Sequence, residues 1–329
     1  MITIALDAMG GDHAPEEILK GALEAVKAFP VKIILVGPET LLKKKIASIG
    51  DFFKYPQITI KNATQIVEMG ESPAQSFKKK PDSSIRVSLN LVKEKKADAF
   101  VSAGNTGAVM ATSTLVLGRI KNIDRPAIAT VINIHKKPFV MLDMGSNVDC
   151  KPKFLYQFAV MGTFFCKLIL GIDNPRVGLL NIGEEPDKGN ALTLATYDLL
   201  KNSSLNFIGN IESKEALCNK ADVVVCDGFV GNVLLKFGEG VIGLVFDFFK
   251  KEWKTSVIAK IALLLLAPAL KRFKKDVDYE EIGGAPLLGI NGVTIIAHGK
   301  SKSKAIKNAI KIAQQAVETN MVEKIAYAE

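Results

Sequence analysis

Short polar residues and glycines follow an apolar run in the segment that reads Ser-Ala-Gly-Asn-Thr-Gly-Ala, from Ser102 to Ala108. The pattern predicts a strand, a tight turn and a helix. Glycines let the backbone approach a ligand closely, and the free N–H groups and dipole of a helix N-terminus favour an anion. The segment therefore suits phosphate binding, although an ordinary strand-to-helix turn has a similar composition. The candidate residues are Ser102, Gly104, Asn105, Thr106 and Gly107.

Four other predicted strand ends carry similar residues. Ligands of open α/β sheets bind beyond the carboxyl ends of the strands, and a core strand needs no Asn, Asp or Lys at that end. A lysine there would neutralise a phosphate, and a histidine would serve as a general base or as a loop cap. The candidates are Asp7, Gly10, Gly11 and His13, then Asn147, then Lys188 and Gly189, and finally Asp227, Gly231, Asn232 and Lys236.

Composition limits the classes of partner. A net charge of +9, from 43 basic and 34 acidic residues, favours an acidic protein, an anionic membrane surface or a phosphorylated small molecule. Only 7% of the residues are aromatic, which argues against single-stranded nucleic acid. The cysteines form no Cys-x-x-Cys pair and the three histidines are far apart, so neither disulfides nor a metal site is predicted. The N-terminus has the pattern of a strand, so we expect no signal peptide and a cytoplasmic protein.

Apolar segments of strand length alternate with amphipathic helical patterns. Near-continuous Val, Ile and Leu runs favour a mainly parallel sheet covered on both faces, and the alternation predicts an α/β fold, a doubly wound α/β/α sandwich. The stretch from Gly283 to Gly292 has the composition of a glycine-rich loop. The predicted strands are Ile2–Ala8, Lys32–Gly37, Ala97–Ser102, Ala127–Ile134, Phe139–Asp143, Arg176–Asn181, Asp222–Asp227 and Val293–Ala297, and the predicted helices include Glu16–Phe29, Ser83–Lys95, Lys153–Leu170 and Ser301–Val317.

Residues 241–275 break this alternation, and we interpret them as a helical excursion from a single catalytic domain over residues 1–329. The run from Ile258 to Pro268 is shorter than the ~20 residues of a bilayer span, and Pro268 would bend or end its helix. Basic residues surround it, which fits an interfacial membrane helix; a dimer contact or a buried core helix fits as well. The candidate membrane or acyl contacts are Ile261, Leu263, Leu264, Leu265 and Leu266.

The chain resembles the bacterial phosphate acyltransferase (PlsX) family nearly from end to end. One departure is Ser146, where the family usually has alanine in a Gly-Ala-Asn turn. The motifs that carry the resemblance are Asp7–Asp12, Ser102–Ala108, Gly178–Glu185 with Lys188–Asn190, Asp222–Asn232 with Lys236, and Gly283–Gly289.

The resemblance implies a fold shared with isocitrate and isopropylmalate dehydrogenases and phosphotransacetylases. It also implies transfer of a long-chain acyl group from acyl carrier protein to inorganic phosphate, without a cofactor or metal. The product, acyl-phosphate, would pass to a glycerol-3-phosphate acyltransferase for phospholipid synthesis. A homodimer bound peripherally to the inner face of the cell membrane is implied as well.

Within that reaction, we expect the turn at Ser102–Gly107 and Lys188 to bind phosphate. Asn232 and Asn147 would orient the thioester or stabilise its oxyanion, and Asp227 and His13 would handle protons. A dehydrogenase of the same fold lacks support, because the chain has no Gly-x-Gly-x-x-Gly fingerprint followed by an acidic residue. A membrane-recruited scaffold or phosphate-ligand binding protein is the non-enzymatic alternative.

Overall fold

The computed structural model describes residues 1–50, 52–134, 137–254, 256–276 and 279–327. These residues form two mainly parallel sheets and confirm the α/β class. The strands are β1 Ile2–Asp7, β2 Val31–Gly37, β3 Ile58–Asn62, β4 Ala99–Ser102, β5 Ala127–Ile128, β6 Thr130–Ile134, β7 Lys137–Leu142, β8 Val177–Leu180, β9 Phe207–Ile211, β10 Val223–Val225, β11 Ala285–Leu288 and β12 Val293–Ile296.

Helices connect these strands. They are α1 Glu16–Ala28, α2 Glu39–Ile49, α3 Pro73–Lys79, α4 Ser84–Lys93, α5 Thr106–Leu117, α6 Pro152–Phe165, α7 Ala191–Lys201, α8 Ser213–Leu217, α9 Gly228–Glu252, α10 Val257–Asp276, α11 Tyr279–Ile282, α12 Ser303–Glu318 and α13 Met321–Ala326. A π-helical turn, Cys166–Leu170, extends α6.

The first sheet has the strand order β3-β2-β1-β4-β12-β11-β5, and the second has the order β6-β7-β10-β8-β9. In the first sheet, β1, β4 and β12 are parallel neighbours, with Leu6 opposite Val101 and Ser102 opposite Ile296. The carboxyl ends of these three strands therefore lie side by side. In the second sheet, β10 is flanked by β7 and β8, again in parallel.

Side chains alternate between the two faces of the first sheet, which explains its near-continuous apolar strands. Ile4 and Leu6 lie in a core cluster with residues of α1 and α12, whereas Ala5 packs in another cluster with Leu91 of α4. Full burial of a side chain such as Leu6 contributes about 1.5–3 kcal/mol. Helices on both faces are therefore required, as the sandwich prediction states.

The structure differs from the sequence predictions at several elements. The predicted single sheet is divided, and the chain passes from the first sheet to the second between β5 and β6. The strands β3 and β9 were not anticipated, because each is an outer strand with a weakly apolar pattern. The prediction of a loop from Gly283 to Gly292 is wrong, since β11 lies within it and pairs with β12 and β5.

The helices α9 and α10 expose an apolar surface. Leu244 is 71% exposed and Leu265 is 80% exposed, and a groove of about 670 Å³ between the helices is lined by residues that include Phe246, Trp253 and Leu263. Pro268 was expected to bend or end its helix, and the second alternative is wrong, because α10 continues to Asp276. The carbonyl that loses its helical donor at this proline belongs to Leu264, a residue that is 60% exposed. The side chains of Lys274 and Lys275 lie outside the described part of the chain.

Two described helices have the length and apolar composition of a membrane span. In Pro152–Leu170 the most apolar 18-residue window is 56% buried in the protein, as expected of a core helix, whereas the corresponding window of Gly228–Glu252 is only 6% buried. The long apolar helix of this region is thus α9 rather than the run from Ile258 to Pro268.

Candidate active site

A buried carboxylate, Asp7, organises the carboxyl edge of the first sheet. Its side chain is 1% exposed and accepts a hydrogen bond of 2.7 Å from Ser102 Oγ, which in turn accepts one of 3.0 Å from the Gly104 N–H. Burial raises the pKa of the Asp7 carboxyl, and hydrogen bonds from Ser84, Ser102 and the backbone oppose this effect. Asp7 therefore holds the loops together from beneath.

The loops after β1 and β4 are in close contact. A Cβ atom at Gly10 would lie 2.6 Å from both Asp7 Oδ2 and the Gly104 nitrogen, so a side chain cannot be placed there. Gly11 lies against the carbonyl of Gly299 in the loop after β12. The three neighbouring strand ends thus form one continuous backbone surface.

Asn105 caps α5 and fixes a separate loop to it. Its side-chain oxygen accepts a hydrogen bond of 2.9 Å from the Ala108 N–H, and its Nδ2 donates to the carbonyls of Met69 and Glu71 at 2.8 and 3.0 Å. Thr106 is exposed at the start of the same helix, whose first-turn N–H groups lack intrahelical acceptors. An anion would therefore bind to the helix N-terminus and Thr106, while Asn105 shapes the turn.

Gly107 follows at the same helix start. A Cβ atom there would lie 2.7 Å from Cγ of Pro73, the first residue of α3. This contact places α3 directly beside the turn at Ser102–Gly107.

Asp143, which the sequence analysis did not single out, has the corresponding place in the second sheet. It follows β7 and is fully buried, and its carboxylate accepts hydrogen bonds from the Asn147 N–H at 2.6 Å and from Asn147 Nδ2 at 2.9 Å. It also accepts from the Ile128 N–H at 3.2 Å and from Ser146 Oγ. The signal in the sequence is an aspartate directly after a buried strand and before a Gly-Ser-Asn turn.

The start of α9 packs on this cluster. Asp227 caps the helix through a hydrogen bond of 2.9 Å from the Val230 N–H. A Cβ atom at Gly231 would lie 2.0 Å from the Asp143 carbonyl oxygen, so only glycine fits. Asn232 is exposed and lies beside Gly145, whereas Asn147 Nδ2 already donates to the Pro126 carbonyl as well as to Asp143. The structure thus brings Asn147, Asp227, Gly231 and Asn232 together.

Lys188 and Gly189 lie in the exposed loop after β8, the strand next to β10. Asn181 Nδ2 donates to the Lys188 carbonyl at 3.0 Å and closes this loop. Among the residues that the structure describes, no hydrogen bond or ion pair joins Lys188 to the turn at Ser102–Gly107. Their joint action on phosphate stays a prediction.

Charged groups of α9 act on a histidine in the loop after β12. Lys236 of α9 forms an ion pair of 2.9 Å with Glu239, and both charges act on the pKa of His298. His13 is exposed in the loop after β1, where its carbonyl caps the start of α1 through the Glu17 N–H. His298, which sequence reasoning did not single out, therefore lies within electrostatic reach of α9.

The thiols near the site are unsuited to nucleophilic attack. Burial raises the pKa of Cys150 to about 12, and burial raises the pKa of Cys226 well above its usual range. Both thiols are therefore protonated at neutral pH. No group of three or more potential metal ligands occurs among the described residues.

Comparisons with known proteins show the family to which the chain belongs. The model of a family described as "Fatty acid synthesis protein" matches residues 2–324. A protein of Desulfitobacterium hafniense named phosphate acyltransferase is 52% identical over 323 residues, which cover 98% of this chain and 96% of the relative. The chain belongs to the phosphate acyltransferase family. A phosphate acyltransferase of Dictyoglomus turgidum is 51% identical over 324 residues, with 98% and 96% coverage. Membership of this family makes the protein an enzyme rather than a scaffold, and an acyltransferase rather than a dehydrogenase.

Solved structures share the fold. A phosphotransacetylase from Streptococcus pyogenes matches with a TM-score of 0.65 and 16% identity, covering 96% of this chain and 94% of that one. A branched-chain phosphotransacylase from Enterococcus faecalis matches with a TM-score of 0.60 and 15% identity, with 96% and 99% coverage. A putative 4-hydroxythreonine-4-phosphate dehydrogenase from Salmonella typhimurium matches at 0.54 and 13% identity, with 96% and 99% coverage. At these identities the likeness concerns the fold alone.

Proposed function

We propose that this phosphate acyltransferase moves a long-chain fatty acyl group from the thioester of acyl carrier protein to inorganic phosphate. The product is acyl-phosphate for phospholipid synthesis. The observation that carries the proposal is the α5 N-terminus, with Thr106 exposed beside the close contact of Gly10 and Gly104. This arrangement suits a small tetrahedral anion, and the family name of the relatives supplies the acyl transfer.

In the proposed reaction, a phosphate oxygen attacks the thioester carbonyl carbon. The carbon–sulfur bond breaks, and the sulfur leaves as a thiolate that takes up a proton. Phosphate is itself the nucleophile, so the protein needs to position it and to stabilise the oxyanion. The protonated thiols of Cys150 and Cys226 support direct transfer without an acyl-enzyme.

The proposed roles follow from which side chains face solvent. Lys188 and Asn232 are exposed, so they can reach a phosphate and a thioester carbonyl, respectively. Asn147 is engaged by Asp143 and Pro126, and it would act by orienting the start of α9. Asp227 and His13 are the candidates for proton transfer to the leaving thiolate.

The proposed acyl donor is inferred from the net positive charge of the chain. Acyl carrier proteins are acidic, and the net charge of +9 would steer such a partner to the enzyme. Encounter should weaken as salt screens the charges. The groove between α9 and α10, lined by residues that include Phe249 and Leu263, is a suitable surface for an acyl chain.

The exposed apolar residues of α9 and α10 support peripheral binding to the inner face of the cell membrane. Ile258 is 80% exposed and Ile261 is 54% exposed, and exposed Lys260 and Lys271 accompany them. A helix of this kind lies in an anionic membrane interface. The same surface could also pair two copies into a homodimer. At the membrane, the enzyme would deliver acyl-phosphate to a glycerol-3-phosphate acyltransferase.

A donor comparison tests the proposal. The purified protein is given phosphate with a long-chain acyl carrier protein thioester, or with the coenzyme A thioester of the same chain, over a range of salt concentrations. We expect faster acyl-phosphate formation from the carrier protein, with an advantage that shrinks as salt rises. Equal rates at all salt concentrations would contradict the carrier protein as the preferred donor.

A further inference from the structure

The loop after β8, which carries Lys188, is fastened to the sheet by a side chain of the neighbouring strand β9. Asn210 of β9 donates a hydrogen bond of 2.8 Å from its Nδ2 to the Glu185 carbonyl. The same carbonyl accepts the Lys188 N–H at 3.2 Å, which closes a turn at residues 185–188. Asn181 Nδ2 donates to the Lys188 carbonyl at 3.0 Å. The backbone on both sides of Lys188 is therefore held by amide groups from two adjacent strand ends.

The side chain of Lys188 is exposed above this fixed backbone. Within the described part of the chain, no hydrogen bond or ion pair engages its ammonium group. Glu184 of the same loop is paired instead with Lys220, at 3.0 Å. A fixed backbone with a free ammonium group is suited to holding an anion at one position.

A β-bulge in β9 directs Asn210 toward this turn. Phe207 of β9 pairs with Val177 of β8. Three residues on, Asn210 pairs with Leu179, which lies only two residues after Val177, so β9 contains one extra residue. Gly209, within the bulge, has a φ of +96°, and a Cβ atom there would meet no atom within 4 Å, so this glycine is required for its backbone angle. Since a one-residue shift exchanges the two faces of a strand, the bulge fixes the direction of Asn210.

Asn210 does not suit the interior of a strand. Its side chain is 2% exposed, and its Oδ1 accepts no hydrogen bond from the residues that the structure describes. Asparagine is depleted in strands, and a buried polar atom without a partner destabilises a fold. An apolar β-branched residue would suit the position better. The hydrogen bond that the side chain does make goes to the turn of Lys188, so the reason for an amide lies in that turn.

We infer that Asn210 is a positioning residue, which fixes the turn at residues 185–188 so that Lys188 meets phosphate at a set position. This inference rests on the proposed function, because it takes Lys188 as the residue that binds phosphate. Asn210 touches no substrate atom in this role, and no proton moves. Its amide acts through the Glu185 carbonyl on the backbone of Lys188.

Calorimetric titration of inorganic phosphate into the full-length protein tests the inference without an acyl donor. Asn210→Val removes the amide and introduces a side chain that favours a strand interior. We expect phosphate affinity to fall about three- to tenfold, since the loss of a position cannot exceed the loss of the ammonium group itself. The melting temperature should be unchanged or higher, and Asn210→Ala should show the same loss of affinity. Wild-type affinity in both variants would overturn the inference.

Asn206→Ala is the matched control. Asn206 precedes β9 at its other end, and its Nδ2 donates a bond of the same kind to the Asn174 carbonyl at 3.2 Å. This variant should bind phosphate like the wild type. An affinity as low as that of Asn210→Val would mean that any such bond around β9 has the same effect, and would overturn the inference.

A double-mutant cycle with Lys188 separates this inference from the proposed function. Added to Lys188→Ala, the change Asn210→Val should cause no further loss of phosphate affinity. A further loss as large as in the wild-type background would overturn the inference, while the phosphate role of Lys188 would stand. If Lys188→Ala alone binds phosphate like the wild type, the proposed role of Lys188 fails, and the inference fails with it.

Discussion

The hydroxyl of Ser102 donates a 2.7 Å hydrogen bond to the buried carboxylate of Asp7, although 95 residues separate them in the chain. The pair joins the ends of two parallel strands, and the Gly104 N–H binds the same hydroxyl. The turn that precedes α5 is therefore held in place from below, which would fix its N–H groups before the proposed phosphate binds.

Ser102→Ala tests this arrangement through stability. The variant leaves the buried Asp7 carboxylate with one donor fewer, and we expect a loss of about 1.5–3 kcal/mol in the free energy of unfolding. Burial raises the folded-state pKa of Asp7, so stability falls as the pH rises from the ordinary aspartate value through the raised one. Loss of the Ser102 donor raises this pKa further. The difference in the free energy of unfolding between the wild type and the variant should therefore grow as the pH rises. Urea titrations at several pH values measure it.

Ser88→Ala is the matched control for that experiment. Ser88 is also fully buried, but its hydroxyl donates to the Ser84 carbonyl rather than to an ionisable group. Its loss of stability should be independent of pH. If the stability loss in Ser102→Ala were equally independent of pH, the hydroxyl would not stabilise the Asp7 carboxylate.

Gly231→Ala should disrupt the junction between α9 and β7. The added methyl would lie 2.0 Å from the Asp143 carbonyl oxygen, and we expect a loss of about 3 kcal/mol or more in the free energy of unfolding. Gly240→Ala, in the same helix, meets no atom within 4 Å and should be neutral or stabilise the protein by up to ~1 kcal/mol. Equal stability of the two variants in urea would refute the close packing of α9 on Asp143.

Lys188→Ala tests the proposed charge at the phosphate. Removal of an ammonium group that contacts the anion should raise the phosphate KM about tenfold, whereas the melting temperature should not change because the side chain is exposed. Lys201→Ala, which removes an exposed lysine at the end of α7, is the control for net charge. The role of Lys188 would be withdrawn if both variants had the phosphate KM of the wild type in steady-state assays.

Much of the fold could be predicted because apolar strand runs and helical stripes are local signals. The strand Ile2–Ala8 and the helix Ser301–Val317 were confirmed within a few residues as β1 and α12. By contrast, β11 is a four-residue strand among glycines, and only its pairing with β12 and β5 makes it a strand. The strand β12 follows after a short turn, but β5 lies far away in the chain, and so distant a partner leaves no trace in a local pattern.

The candidate site was predictable as a set of loops but not as a set of contacts. Asn105 was expected at the phosphate, yet its amide is occupied by Ala108, Met69 and Glu71. His298 was missed because a histidine in a short loop is not distinctive until α9 is placed beside it. Which polar side chain faces solvent is decided by tertiary packing, and residue type alone does not encode it.

Replacement of Leu264 and Leu265 by glutamate tests membrane contact. These side chains are 60% and 80% exposed, and two carboxylates there should release the protein from anionic vesicles in a sedimentation assay. The control is the double variant Leu115→Glu with Leu217→Glu, which adds the same charge outside α10 at leucines that are 61% and 54% exposed. This variant should still bind the vesicles. Retention of the first double variant would exclude α10 as the membrane contact.

The most direct test of the account is the reaction itself. Purified protein is mixed with a long-chain acyl carrier protein thioester, with and without inorganic phosphate, and free thiol, acyl-phosphate and the mass of the protein are followed. We predict equal amounts of thiol and acyl-phosphate when phosphate is present, and neither product nor a change in mass when it is absent. Stoichiometric thiol release with an acylated protein in the absence of phosphate, or no acyl-phosphate in its presence, would contradict direct transfer to phosphate.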